Sequence, residues 1–338
     1  MGSTPERKPH VVCLGAPQYA GEDYLQNFSS TFTFSVLPAQ NRAETIAQLP
    51  KLLSEKGPVD AFIVRMGTPP YEPFDFFAPL LPSCKIITSA SAGYNEFDVD
   101  WMSANKVLFC NSVDAVAEAT ADMAVYLMLA TLRNTSNAEK SVRSGKWRGT
   151  GLVPARDPSG MTLGIVGMGA IGKYLAKKAA VFNLKIKYHN RTQLSASEEA
   201  KYNATYCPTL HDLLSSSEII SLNCPLNPST TNLLSTAEFA AMKDGAFLVN
   251  TARGAIIDES ALKAALESGK VKRAGLDVLC NEPDVDEWFF GRDDVVLQPH
   301  LGGLTDVAFQ RAERECFENV RAFFETGKAN SPVNAERL

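Results

Sequence analysis

The chain has 338 residues, 45% hydrophobic and 21% charged, with a formal net charge of −5. That length supports two domains with separate cores, the composition is that of a water-soluble globular protein, and an acidic balance without a basic run excludes a nucleic-acid footprint. Seven scattered cysteines, with no C-x-x-C and no histidine pair at metal spacing, argue against a disulfide framework or a zinc site and fit a reducing cytoplasmic compartment.

Residues 1–10 are polar and lack the apolar stretch of a secretory signal. Beyond them, short apolar runs alternate with helical patterns, which predicts parallel sheets with crossover helices. In the first third the predicted strands are 11–14, 32–37, 61–66, 85–89 and 107–110, with a helix at 43–55. The apolar stretch 115–132 is interrupted by Glu118 and Asp122 and falls short of a clean bilayer span. It reads as a buried core or subunit-contact helix, 116–133.

A strand at 163–166 then runs into Gly167, Gly169 and Gly172 at G-x-G-x-x-G spacing, and helical periodicity begins at once. Ile171, Leu175, Ala179 and Phe182 share one face, while Lys173 and Lys177 lie off it. A strand turning sharply into a helix presents unpaired N–H groups, and glycines let a pyrophosphate approach them. The next strand, 185–189, ends in Asn190-Arg191-Thr192, where an NAD-binding unit carries an acidic residue. Asn190 does not repel a 2′-phosphate and Arg191 can pair with one, so NADPH is the expected cofactor, with NADH the alternative. Lys185 and Lys187 alternate with apolar residues in that strand, which places it towards the sheet's outer side.

Further strands are predicted at 219–222, 246–250, 273–277 and 295–297, and a helix at 260–268 capped by Asp258 and closed by Gly269; Thr209 opens another helix. Because a full α/β unit precedes the glycine-rich turn, a nucleotide domain is expected to be inserted into a first domain. The chain would cross through the helix 116–133, return around 301–306, and pack a last helix, 307–324, on the first domain. A cleft between the two is the expected place for a small substrate.

Carbonyl reduction needs a hydride donor, a proton donor and a cation for an anionic substrate. Of four histidines, His300 follows a strand and Pro299 and precedes Gly302 and Gly303, which allow close ligand approach. Histidine suits proton donation, and a carboxylate beside it favours the imidazolium. Glu282 is the candidate carboxylate and Arg253 the candidate clamp, each just after a strand.

The chain resembles the D-isomer-specific 2-hydroxyacid dehydrogenases, and among them the glyoxylate/hydroxypyruvate reductase-like members, over about residues 40–335. The resemblance rests on Ser91-Ala-Gly-Tyr94, Val116-Ala-Glu-Ala-Thr120, Gly145-Lys-Trp147, Gly164-Ile-Val-Gly-Met-Gly-Ala-Ile-Gly172, Cys224-Pro-Leu226, Met242-Lys-Asp-Gly-Ala246, Asn250-Thr-Ala-Arg-Gly254, Gly275-Leu-Asp-Val278, Asn281-Glu-Pro283 and Pro299-His-Leu-Gly302. It implies an α/β fold of two doubly wound parallel-sheet domains, a Rossmann dinucleotide-binding domain (116–303) inserted into a flavodoxin-like substrate domain (1–115 and 304–338), and a homodimer.

By the same resemblance Arg253 binds substrate carboxylate and carbonyl oxygen, His300 donates the proton, Glu282 orients it, and the amides of Ala92 and Gly93 hold the carboxylate. Thr120, Ala170, Ile171, Cys224, Pro225, Thr251, Ala252 and Asp277 line the cofactor, Asp277 receiving the nicotinamide carboxamide. The implied reaction takes a small 2-keto acid and NAD(P)H to the (2R)-hydroxy acid. Ser91 and Leu304 depart from the family's usual residues, Arg65 and Met66 are placed to line the substrate's tail, and the aromatic-rich stretch 68–77 reads chiefly as core and loop packing. A pocket for a bulky branched or aromatic keto acid is the alternative; a cofactor-sensing corepressor of the same fold is the alternative outside enzymes.

Overall fold

The branched apolar runs form two parallel sheets in a computed structural model that describes residues 7–38, 42–65, 76–148 and 153–338. Contacts divide the chain into two units, one running to Val116 and resuming at Leu304–Leu338, the other Ala117–Gly303.

In the first unit the elements are β1 (His10–Leu14), α1 (Glu22–Thr31), β2 (Thr33–Leu37), α2 (Arg42–Lys56), β3 (Ala61–Val64), β4 (Ile86–Ser89), α3 (Val99–Ala104) and β5 (Leu108–Cys110). The sheet order is β2-β1-β3-β4-β5, every pair parallel. This is the flavodoxin-like order, whose topological switch point lies between β1 and β3. β1, β3, β4 and β5 are buried along their whole length because helices cover both faces, while the edge strand β2 is partly exposed. Val12, Leu14, Phe62, Val64, Ile87 and Phe109 form the core with Phe76 and Phe77. Phe76 meets Phe62 edge-on with ring centroids 5.4 Å apart, so the described end of the aromatic-rich stretch is core packing. Met66 and residues 68–75 lie outside the described residues, and β3 closes at Val64.

The second unit begins within α4 (Val113–Arg133) and continues through α5 (Thr135–Arg143), β6 (Thr162–Val166), α6 (Ala170–Ala180), β7 (Lys185–His189), α7 (Ala196–Tyr202), β8 (Ala204–Tyr206), α8 (Leu210–Ser216), β9 (Ile219–Leu222), α9 (Thr236–Ala241), β10 (Ala246–Asn250), α10 (Glu259–Glu267), β11 (Val271–Leu276) and β12 (Val295–Leu297). The order β12-β11-β10-β9-β6-β7-β8 is a Rossmann sheet with its switch point at β6/β9. β7 is next to the edge strand, with Lys185 exposed, Lys187 half-buried and Ile186 and Tyr188 buried, so one of its faces meets solvent. That accounts for the alternating lysines. Asp258 caps α10 by accepting from the amides of Ser260 and Ala261.

By length and composition α4 could cross a membrane, with a mean hydropathy of 1.4, yet 61% of that window is buried. Ala121, Ala124, Leu127 and Met128 enter the core of the sheet. A Cβ added at Gly275 on β11 would come within 2.9 Å of Leu127 Cβ, so the glycine lets helix and strand touch. α4 is therefore a core helix.

The closing helix α11 (Asp306–Thr326) returns to the first unit and packs on β3 and β4. Thr305 caps it through the Ala308 amide, and Phe317 meets Phe28 edge-on at 4.9 Å.

Candidate active site

Two of the three glycines after β6 relieve clashes, and the third leaves space open. Gly167 has φ 98°, and a Cβ there would lie 2.7 Å from Cys224 N; a Cβ on Gly172 would lie 2.3 Å from Gly167 O. Gly169 has nothing within 4 Å, which leaves open space at the start of α6. There the N–H groups of Ala170 and Ile171 belong to a first helical turn, which has no intrahelical acceptors. Such a cradle receives a phosphate.

Around it lie the loops after β9, with Cys224 and Pro225, and after β10, with Thr251 and Ala252. Thr251 Oγ1 and Asn223 Oδ1 are buried there without a hydrogen-bond partner. A buried orphan of this kind costs about 1–3 kcal/mol, and polar ligand atoms relieve it. The residues present thus fit a nicotinamide dinucleotide.

At the end of β7, Asn190 Oδ1 accepts from the Met168 amide at 2.7 Å, so this side chain ties down the glycine-rich turn. Tyr206 donates to the Asn190 carbonyl at 3.1 Å. Arg191 and Thr192 are exposed, and Arg191 makes no side-chain hydrogen bond or ion pair with the described residues.

β10, β11 and β12 are neighbours, and the loops leaving their carboxyl ends carry the candidate chemistry. Asn250, fully buried, accepts from the Ala252 amide at 3.0 Å and donates to the Arg253 carbonyl at 2.9 Å, which fixes the turn bearing Arg253. A Cβ on Gly254 would overlap Leu279 C at 2.0 Å, so only glycine lets this turn lie on the loop that leads to Glu282. His300 Nδ1 and Glu282 Oε2 are 2.7 Å apart, and the Leu279 amide donates to Glu282 Oε1 at 2.8 Å. The carboxylate leaves Nδ1 as the donor, with Nε2 on the ring's other edge. Burial raises the Glu282 pKa, but the bonds from His300 and Leu279 and the charges of His300 and Arg253 outweigh it and hold it below the usual carboxylate value.

His300 has φ 57°, a left-handed conformation that a neighbour must stabilise. Asp277, 1% exposed, does so. Its carbonyl accepts from the His300 amide at 2.7 Å, and its two carboxylate oxygens accept from the amides of Leu301 and Gly302 at 2.8 Å each. Thr120 on α4 is buried against Gly302, and Gly303 is half-buried.

In the first unit, Arg65 Nε bonds Glu313 Oε1 at 2.9 Å. Glu313, on α11 and 4% exposed, also accepts from the amides of Gln18, Tyr19 and Ala20 after β1. One carboxylate thus joins both sides of the β1/β3 switch point. Sequence reasoning passed over Glu313, whose signal is an acidic residue in the apolar stripe of Ala312, Cys316, Phe317 and Val320. Asn223 and Asn250 were passed over as well; an asparagine two residues before an amide it can accept from marks the latter. Ala92 and Gly93 lie half-buried after β4, and Leu304 is 52% exposed.

Residues 125–302 match the family model for the D-isomer specific 2-hydroxyacid dehydrogenase NAD-binding domain. The chain is 59% identical over 326 residues to the dehydrogenase efuE of Hormonema carpetanum, covering 96% of this chain and 81% of that protein. It is 38% identical to 4-methyl-2-oxopentanoate reductase A of Aspergillus oryzae, covering 95% and 96% respectively. A crystal structure of a glyoxylate reductase from Paecilomyes thermophila superposes with a TM-score of 0.88 at 34% identity, covering 98% of this chain and all of that one. With a dinucleotide cradle in its second unit and relatives matched along almost its full length, the chain is an oxidoreductase that belongs to the D-isomer specific 2-hydroxyacid dehydrogenase family.

Proposed function

We propose that the protein reduces a small 2-keto acid, such as glyoxylate or hydroxypyruvate, to the D-(2R)-hydroxy acid in the cytoplasm, with NADPH as its preferred cofactor. The observation that carries this reading is the 2.7 Å pairing of His300 with Glu282 on loops that also abut the Arg253 turn. When bound, the reduced nicotinamide supplies the hydride. Arg253 grips the substrate carboxylate and polarises the carbonyl with parallel hydrogen bonds. His300 gives a proton from Nε2 to the carbonyl oxygen, while Glu282 holds the ring through Nδ1. The amides of Ala92 and Gly93, in the first unit, are assigned to the same carboxylate, and Arg65 to the substrate's tail. Asp277 takes the carboxamide of the cofactor with acceptor capacity left over from the Leu301 and Gly302 bonds.

The NADPH preference rests on Asn190, neutral and engaged with Met168, and on the exposed Arg191 guanidinium. Kinetics with glyoxylate, hydroxypyruvate, 4-methyl-2-oxopentanoate and phenylglyoxylate, each with both nicotinamides, test the reading. Arg191→Ala is expected to lower the NADPH-over-NADH ratio of kcat/KM by about ten- to hundredfold, the value of charge-assisted hydrogen bonds to a phosphate. A wild-type preference for NADH ends the cofactor assignment. The likeness to a 4-methyl-2-oxopentanoate reductase favours the second reading, a branched substrate, which the same panel resolves.

Glu282→Gln keeps the shape of the pair and removes its charge. The depressed carboxyl of Glu282 stays ionised above the usual carboxylate range, and loses its charge only as pH falls through a lower value. The acid limb of the kcat/KM profile in wild type then reports protonation of Glu282, and Glu282→Gln, which has no carboxyl to protonate, is expected to lose that limb. A Glu282→Gln variant that keeps the wild-type acid limb separates Glu282 from the reaction.

A homodimer completes the reading. Tyr126, Val142, Trp147 and Val153 are exposed apolar side chains within residues 126–153, Trp147 being 70% exposed, and a second copy is the proposed cover. Light scattering that gives the mass of one chain removes it.

A further inference from the structure

The loop after β4 is closed by hydrogen bonds that involve Ser91, and those bonds set the direction of the amides that follow it. The Ser91 carbonyl accepts from the Ser112 amide at 3.1 Å, and the Ala92 carbonyl accepts from Asn111 Nδ2 at 2.6 Å. In a planar trans peptide the C=O of one residue and the N–H of the next point in opposite directions. The first bond therefore sets the Ala92 N–H, and the second sets the Gly93 N–H. Asn111 and Ser112 are consecutive at the end of β5, so both amides face away from one short segment. Neither amide donates to any described residue. Ser91 Oγ, 2.8 Å from Ser89 Oγ, donates to the Gly93 carbonyl at 2.8 Å and closes the turn. Asn111 is 5% exposed, and its own carbonyl accepts from Ser331 Oγ at 2.7 Å, so the clamp is fixed from behind. Two successive amides turned to one side form an anion-binding concavity.

We infer that Asn111 and Ser91 are positioning residues that pre-aim the amides of Ala92 and Gly93 at the substrate carboxylate, so that affinity for the acid group depends on side chains that never touch it. The inference rests on the reading above that these amides bind the carboxylate. Loss of the Asn111 bond frees the 92–93 peptide to rotate, and the Gly93 donor is then ordered only at the expense of binding.

The test compares each acid with its neutral ester: 4-methyl-2-oxopentanoate and glyoxylate against their methyl esters, with wild type, Asn111→Ala, Ser91→Gly and Ser91→Thr. Wild type is expected to prefer acid over ester. In Asn111→Ala, KM for the acids is expected to rise about ten- to hundredfold, as for a lost hydrogen bond to a charged group. The ester kcat/KM and the NADPH affinity read by nicotinamide fluorescence should hold. Ser91→Gly is expected to move the same ratio in the same direction, and Ser91→Thr, which keeps the hydroxyl, to restore it. A wild type that does not distinguish acid from ester overturns the carboxylate assignment itself. A discriminating wild type whose Asn111→Ala and Ser91→Gly variants keep the ratio, or lose acid and ester activity together, overturns the positioning role alone. Should Asn111→Ala fail to fold, the Ser91 pair decides.

Discussion

Replacing His300 by alanine is expected to lower kcat for 2-keto acid reduction by about 10²- to 10⁴-fold, the usual contribution of a placed general acid. NADPH affinity, measured by fluorescence, should stay near wild type. The size of the expected loss follows from how much structure is devoted to this one side chain. Its backbone lies in a left-handed conformation held by three bonds to Asp277, and its ring is held by Glu282. The other histidines are placed for different work. His10 is buried, bonded to Pro58 and Ser35, and burial lowers its pKa. His189 bonds the Cys207 carbonyl at 2.9 Å and stacks on Tyr206. His211 is exposed on α8. Activity retained within about tenfold in His300→Ala would mean that solvent or another group delivers the proton.

The glycine-rich turn was legible in the sequence because each glycine answers a local demand, and local demands leave a spacing. The pairing of Glu282 with His300 left none. It depends on β11 and β12 being neighbours in the sheet, and their loops meet across 18 residues of chain. Asp258 and Thr209 announced their helices as caps, and each accepts from an amide in the first turn it precedes; Thr305 does the same for α11 without having been read as a cap. β8 did not, since three residues with a threonine at a sheet edge carry no periodicity to read. Asn190 shows the limit from another side. Its neutrality was visible and suggested the cofactor, while its bond to Met168, 22 residues earlier, was set by the β6–β7 pairing. Glu313 bonds amides 293 to 295 residues away, beyond any window of periodicity.

Arg253→Ala is expected to lower kcat/KM by about 10³-fold or more, with both KM and kcat affected. Two losses combine. Removing a donor to the substrate carboxylate weakens ground-state binding, and removing the cation beside the carbonyl exposes the charge that develops on its oxygen during reduction. Arg253→Lys separates them. Lysine keeps the charge but not the planar fork, so kcat should recover further than KM. Arg253 Nη1 donates to the Ala252 carbonyl at 2.8 Å, a bond that Arg253→Ala removes, but Asn250 still holds the turn through the main chain of residues 252 and 253, so the turn is expected to survive both substitutions. Circular dichroism and the NADPH titration check that. A third consequence reaches the neighbouring pair: the Arg253 charge helps to keep Glu282 ionised, so its removal raises the Glu282 pKa towards the ordinary value. The acid limb of the pH profile in Arg253→Ala is then expected to begin at higher pH than in wild type. A variant with normal KM, normal kcat and an unchanged acid limb would place the substrate elsewhere than beneath this guanidinium.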